Sequence, residues 1–181
     1  MDSEKKLLLT ALLVGFTSQI NLGLLGGGFR VSAGIILFVA LLYYHDDLNP
    51  IPTGILSGIM VYLLRVMVFY IGNGEFADAF TAFLPEIVFY IAYAIVYHIA
   101  IYRSNKNNIN SFYFIMVISD LGANYVEISL RGIIEASLFT VNSAITLVMV
   151  SVIRSAIIWL ILNGIIYFRR YIKEQLPRGK D

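Results

Sequence analysis

Apolar residues in this chain run in long blocks, and most polar residues are gathered into short clusters between them. The first block covers about residues 7–25 and closes at GGGFR. The second, about 29–44, ends in HDDLNP. The third, about 51–72, follows Pro50 and Pro52, which suit a helix entry better than a helix interior. An acidic connector, GNGEFADAF, leads to a fourth block at about 84–102, opened by Pro85. The hydrophilic RSNKNNIN precedes a fifth at about 111–134, and a sixth at about 138–168 runs into the basic tail RRYIKEQLPRGKD. Several blocks approach or exceed the ~18–20 residues with which a helix crosses a bilayer. The second is the exception, short enough for a tilted or re-entrant helix. The pattern predicts an all-α polytopic membrane helix bundle of about six transmembrane helices over residues 1–168, with residues 169–181 as a cytoplasmic tail.

Composition agrees with a membrane protein. Of the 181 residues, 59% are hydrophobic and 14% charged, where soluble domains average about 45–50% and about 25%. Mean hydropathy is +0.78. The length leaves no room for a second soluble domain beside six spans. The absence of cysteine excludes disulfides, thiolate metal sites and thiol nucleophiles. KKLLLTALLVGF has the basic start and apolar core of a signal peptide, but no small-x-small cleavage site follows, so it reads as an uncleaved first helix.

Lysine and arginine placement predicts orientation. Lys5 and Lys6 precede the first span, Arg103 and Lys106 follow the fourth, and Arg169, Arg170, Lys173, Arg178 and Lys180 lie in the tail. With six spans these segments share one side, so both termini are expected in the cytoplasm and the chain in the cytoplasmic membrane.

Charge inside the apolar blocks is the most informative feature. A charged group at mid-bilayer costs at least ~2.5–3.5 kcal/mol, so such groups face a bundle interior or water and have partners. The candidates are Arg30, Arg65, Glu86, Asp120, Glu127, Arg131 and Arg154. Arg65 and Arg154 lie deep in apolar runs, whereas Arg30 and Glu86 open spans, within reach of headgroups. In SDLGANYVEISLR, residues 119–131, the side chains of Asp120, Asn124, Glu127 and Arg131 fall within about 60° of helical arc, forming one longitudinal stripe. Glu127 and Arg131 are also an i,i+4 pair in the favourable acid-first order. Arg65 and Arg154 are the expected distant partners of the stripe. Given the expected orientation, these groups gather at the centre and outer half of the membrane, as a polar cavity open to the exterior requires. The arginines favour an anionic or carboxylate-bearing ligand, which guanidinium matches bidentately. The competing account pairs all these charges as structural salt bridges with no ligand.

Other features are plainer. His98 reads as an interfacial or packed residue, and His45-Asp46-Asp47 as a solvated loop, since consecutive residues rarely chelate a metal. Gly26–Gly28 lack the strand and the Gly-Lys-Ser/Thr of a phosphate loop. Gly54 with Gly58, and Ala11 with Gly15, have the small-xxx-small spacing of close helix packing. There is no nucleophile–base pair, metal cluster or nucleotide motif, so neither enzymatic activity, a cofactor nor nucleic-acid binding is expected.

The stretches FRVSAGIILFVALLYYHDDLNPIPTGILSGIMVYLLRV, LPEIVFYIAYAIVYH, SDLGANYVEISLR and VIRSAIIWLILNGIIYF resemble the amino-terminal membrane domain of clostridial-type sensor histidine kinases. The resemblance covers most of residues 7–168 and includes Arg30, Arg65, Glu86, Asp120, Asn124, Glu127, Arg131 and Arg154. It implies an input module whose last helix leads into cytoplasmic kinase domains. The sequence departs from that family in ending at Asp181 with no phosphoacceptor helix or ATP-binding boxes, which points to an isolated or truncated sensor module, or to a related standalone protein. The chain is also similar in size and glycine-rich early half to the S components of energy-coupling-factor transporters, in which Ala11 and Gly15 would face the partner subunit. It shares its general shape with five-transmembrane LytS-type sensor domains. A purely structural membrane protein is the remaining alternative.

Overall fold

A computed structural model describes residues 3–23, 30–45, 47–73, 76–103, 109–134 and 141–175. Helix α1 (Ser3–Thr17) is followed by strands β1 (Asn21–Gly23) and β2 (Arg30–Ser32). Helices α2 (Ala33–Tyr44), α3 (Pro50–Asn73), α4 (Phe76–Arg103), α5 (Ile109–Ile134) and α6 (Val141–Gln175) complete the chain.

The first apolar block does not continue as helix to residue 25. Polar side chains end it: Thr17 Oγ1 donates to Leu13 O at 2.7 Å, and Ser18 Oγ to Gly15 O at 2.6 Å, satisfying carbonyls that the next turn would otherwise take. The chain then pairs β1 antiparallel to β2, Asn21 opposite Ser32 and Gly23 opposite Arg30. This hairpin is the departure from an all-α fold. Ser32 then caps α2, its Oγ accepting from Gly34 N at 3.2 Å. Helix α3 opens with Asn49 Oδ1 accepting from Ile51 N at 3.1 Å, and Pro50 and Pro52 stand in its first turn, where the missing N–H groups cost nothing.

Two boundaries differ from expectation. Helix α4 begins at Phe76, so most of the supposed connector GNGEFADAF is helical and Pro85 lies inside the helix. Pro85 has no N–H to offer Thr81 O, and its ring crowds the preceding turn. The two carbonyls flanking Thr81 O accept from neighbouring helices, Phe80 O from Tyr62 Oη at 3.3 Å and Ala82 O from Arg131 Nη1 at 3.0 Å. Helix α6 continues to Gln175, through residues expected to form a tail. Gly26–Gly28, Asp46, Glu75 and Lys106 lie outside the described residues.

The helices form a ring. Helix α3 packs between α1 and α4, α5 between α4 and α6, and α2 lies on α1 and touches α6. Phe38 of α2 sits at the centre, its ring edge-on to Tyr90 and Tyr93 of α4 at 5.5 and 6.0 Å. The small residues set the closest approaches. A Cβ on Gly58 would lie 2.9 Å from Ile87 O, one on Gly54 would meet Ala94 Cβ, and one on Gly15 would lie 3.1 Å from Met60 Cβ. Ala11 is fully buried.

Burial is inverted relative to a soluble protein. Ser119, Asp120, Ser151 and Ser155 are fully buried, whereas Leu63, Met67 and Ile71 of α3 are at least half exposed. Among the described residues, three helices are long and apolar enough to cross a membrane, within Pro50–Gly72, Ala79–Ile101 and Leu147–Phe168. Helix α1, with 15 residues, and α2, with 12, are short for a span. Helix α5 has the length, at 26 residues, but carries the charged stripe. This is a membrane protein built as a helical bundle.

At the opposite end of the bundle from the β-hairpin, Lys6 Nζ donates to Asp47 Oδ2, joining α1 to the α2–α3 loop. This hydrogen bond, first among its causes, holds the Asp47 carboxyl below its ordinary value. A carboxylate with a depressed native pKa stabilises the fold above its unfolded pKa, and that contribution is lost as pH falls through the native value. Lys6→Gln is expected to return the Asp47 pKa toward the ordinary carboxylate range in an NMR titration. Gly54→Val is expected to destabilise the bundle by about 1–3 kcal/mol through overpacking against α4. Gly72→Ala, where a Cβ meets nothing within 4 Å, should leave the unfolding midpoint in detergent unchanged or raised.

Candidate functional site

A cavity of about 340 Å³ lies between Asn21, Ser32 and Ile35 of the hairpin and α2, Arg65 of α3, Glu86, Phe89 and Tyr90 of α4, Glu127 and Arg131 of α5, and Arg154 of α6. All of these elements meet at the end of the bundle that holds the α1–α2 hairpin and the α3–α4 and α5–α6 connections. Counting from the ends of α3, α4, α5 and α6 nearest those connections, the charged residues sit about 5–20 Å below, Arg131 the shallowest and Arg154 the deepest, at 1.5 Å per residue. The site is therefore inside the bundle.

Five ionisable side chains line it, and they are not equivalent. The Arg65 side chain is 22% exposed; it pairs with Glu86 through Nη1 and donates Nη2 to Ser18 O at 3.3 Å. Arg131, 32% exposed, is at the rim. Its Nε and Nη2 donate to Glu127 Oε1 at 3.1 and 2.8 Å, and its Nη1 donates to Ala82 O. Arg154, 11% exposed, is the deepest. Its Nη1 donates to Asp120 Oδ1 at 3.0 Å and its Cζ lies 5.5 Å from the centre of the Phe89 ring, a cation–π distance. Arg154 Nε is buried and has no partner among the described residues.

Asp120 lies behind Arg154, fully buried. Its second oxygen accepts from Asn124 Nδ2 at 2.9 Å, and the same amide nitrogen is 3.2 Å from Ser151 Oγ of α6. The charged stripe of α5 thus divides. Asp120 and Asn124 form a sealed contact with α6, while Glu127 and Arg131, two turns further on, face the cavity.

The arrangement corrects two expectations. Arg65 is not a partner of the α5 stripe; it bridges to Glu86 and to the end of α1. Glu86 does not reach for headgroups but is buried, because α4 starts ten residues before it. Arg30 is in β2, opposite Gly23, and its side chain lies outside the described residues. Sequence reasoning missed Asn21, Ser32, Ile35, Phe89 and Tyr90. A serine just before an apolar run can mark a helix cap, as Ser32 does for α2, but nothing local marks which aromatic ring inside an apolar block borders a cavity. Among the described residues no group of His, Asp and Glu is arranged to hold a metal ion.

No protein-family model matches the chain, and no curated protein or solved structure does.

Arg154→Gln is expected to cost about 3–5 kcal/mol, because it leaves Asp120 charged and uncompensated in the bundle. The neutral double variant Asp120→Asn/Arg154→Gln is expected to recover most of that loss. A double-mutant cycle of detergent-unfolding midpoints measures it.

Proposed function

We propose that this protein is a membrane-embedded sensor or input module that takes a small carboxylate-bearing ligand from the outer side and relays its presence toward the cytoplasm. The observation that carries the reading is a cavity lined by three arginines, the deepest of which gives only Nη1 to a carboxylate among the described residues. Purely structural salt bridges need neither a cavity nor an open donor. Its volume lies at the lower end of the ~300–1,000 Å³ typical of small-molecule sites.

In this reading the chain crosses the cytoplasmic membrane with both termini inside, the β-hairpin outside, and α5 and α6 as the moving elements. A ligand bound between Arg154 and the rim touches both of those helices as well as α4. It shifts them only to the extent that it binds two bundle arrangements with different affinity. Helix α6 leads out of the bundle on the cytoplasmic side, where signalling domains of the kinase type would receive the shift. The transporter S-component reading, drawn from size, glycine-rich spans and the early small-xxx-small pair, places Ala11 and Gly15 against a partner subunit. Both are buried in the bundle, with Gly15 against α3, which favours the sensor.

The orientation is testable directly, because the chain has no cysteine to remove. Asn21→Cys is expected to react with an impermeant maleimide on intact cells, and His45→Cys only after the membrane is opened. Native mass spectrometry of the purified protein is expected to find a retained small acid. Arg65→Ala and Arg131→Ala each leave a glutamate in the cavity without its arginine and should abolish retention while leaving expression intact. Misfolding of both variants would instead support the structural salt-bridge account.

A further inference from the structure

We infer that the ligand of this cavity is a zwitterion of amino-acid size, its carboxylate held by Arg154 and its ammonium group by Glu86 and Glu127. The inference rests on the ligand-binding reading above and adds the chemical class.

It follows from the hydrogen-bonding capacity left on each charged group. Arg65 and Arg131 are committed: between them they engage two glutamate oxygens and the carbonyls of Ser18 and Ala82. They hold α3 to the end of α1, and α5 to the proline-broken turn of α4. Arg154 is different. It lines the cavity and gives Nη1 to Asp120, while no bond among the described residues engages its Nη2. A guanidinium with a donor to spare at a cavity wall matches an incoming carboxylate.

The acids have the complementary vacancy. In both glutamate pairs the arginine takes Oε1, and no bond among the described residues engages Oε2. Glu86 and Glu127 line the same cavity, so both acids are available to one ligand. Carboxylate oxygens accept only, and an ammonium group donates only. A ligand bearing an acid alone meets Arg154 but leaves these acceptors without a donor and brings its charge near two carboxylates. A ligand bearing an amine alone gives the Arg154 guanidinium no acceptor. Only a molecule with both satisfies the site, and Phe89 and Ile35 supply apolar wall for its side chain.

The test is a thermal-shift titration of the full chain in detergent with single proteinogenic amino acids. For each binder, the deamino carboxylic acid and the decarboxylated amine follow. At least one amino acid is expected to raise the unfolding temperature saturably, with both monofunctional relatives about tenfold or more weaker. Glu127→Gln should weaken the amino acid and the amine but not the acid. Arg154→Lys, which keeps a cation for Asp120 while removing the guanidinium's second terminal nitrogen, should weaken the amino acid and the acid but not the amine. The wild-type series decides even where a variant fails to fold. A deamino acid that binds as tightly as its amino acid overturns the zwitterion assignment and leaves the carboxylate-ligand reading standing. An absence of saturable stabilisation by any amino acid overturns the assignment. If native mass spectrometry also finds nothing retained, the ligand reading fails with it.

Discussion

The bundle depends on one buried ion pair, Asp120 with Arg154. Neither charge is tolerable alone in an apolar interior, and together they still require hydrogen bonds to their remaining atoms. Asn124 and Ser151 lie against Asp120, and the Phe89 ring covers the guanidinium. That cluster fixes the register of α6 on α5 and brings α4 into the same contact. It also sets the floor of the cavity, because the face of Arg154 not turned toward Asp120 is the face the cavity exposes. The same interaction that closes the core therefore leaves one donor open.

The three arginines divide between holding and receiving. Arg65 and Arg131 each span a carboxylate and a backbone carbonyl on a different helix, so they brace the upper bundle while neutralising Glu86 and Glu127. The carbonyl that Arg131 takes lies in the turn that Pro85 disrupts. A proline that would otherwise be a liability inside α4 becomes a docking point for α5. In the proposed sensor these braces keep the mouth of the cavity in one geometry, and the buried Arg154 connects ligand to the α5–α6 interface. Any change in how Arg154 shares itself between Asp120 and a ligand acts directly on the helix that leaves the bundle.

The glycines explain how so polar an interior remains compact. Gly54 and Gly58 lay α3 on the backbone of α4, and Gly15 lays α1 on α3. In lipid there is little hydrophobic drive for helices to associate, so close backbone approach and interhelical hydrogen bonds carry the packing. The short α2 fits the same logic. It presents Phe38 to the aromatic cluster of α4 and closes the ring without needing the length of a full span.

Much was legible in the linear pattern because its cause is local. Long apolar blocks with few charges mark membrane helices. Pro50 and Pro52 mark the entry to α3, and the spacing of Asp120, Asn124, Glu127 and Arg131 places them on one face whatever they touch. The helix ends at Thr17 and Phe76 were less legible. They depend on side-chain bonds to the final carbonyls of α1 and on neighbours that donate to the carbonyls around Pro85, and neither shows as a composition shift. Pairing was not legible at all. Seven candidate charges can be matched in many ways, and only the order of helices around the ring puts Arg65 beside Glu86 rather than beside the α5 stripe. The sequence by itself determined that charges must be buried and must find partners, because the cost of an isolated charge in an apolar medium is independent of fold. The tertiary structure decided which partners they find, and that Arg154 keeps a donor to spare beside a cavity, because that depends on distances between helices far apart in the chain.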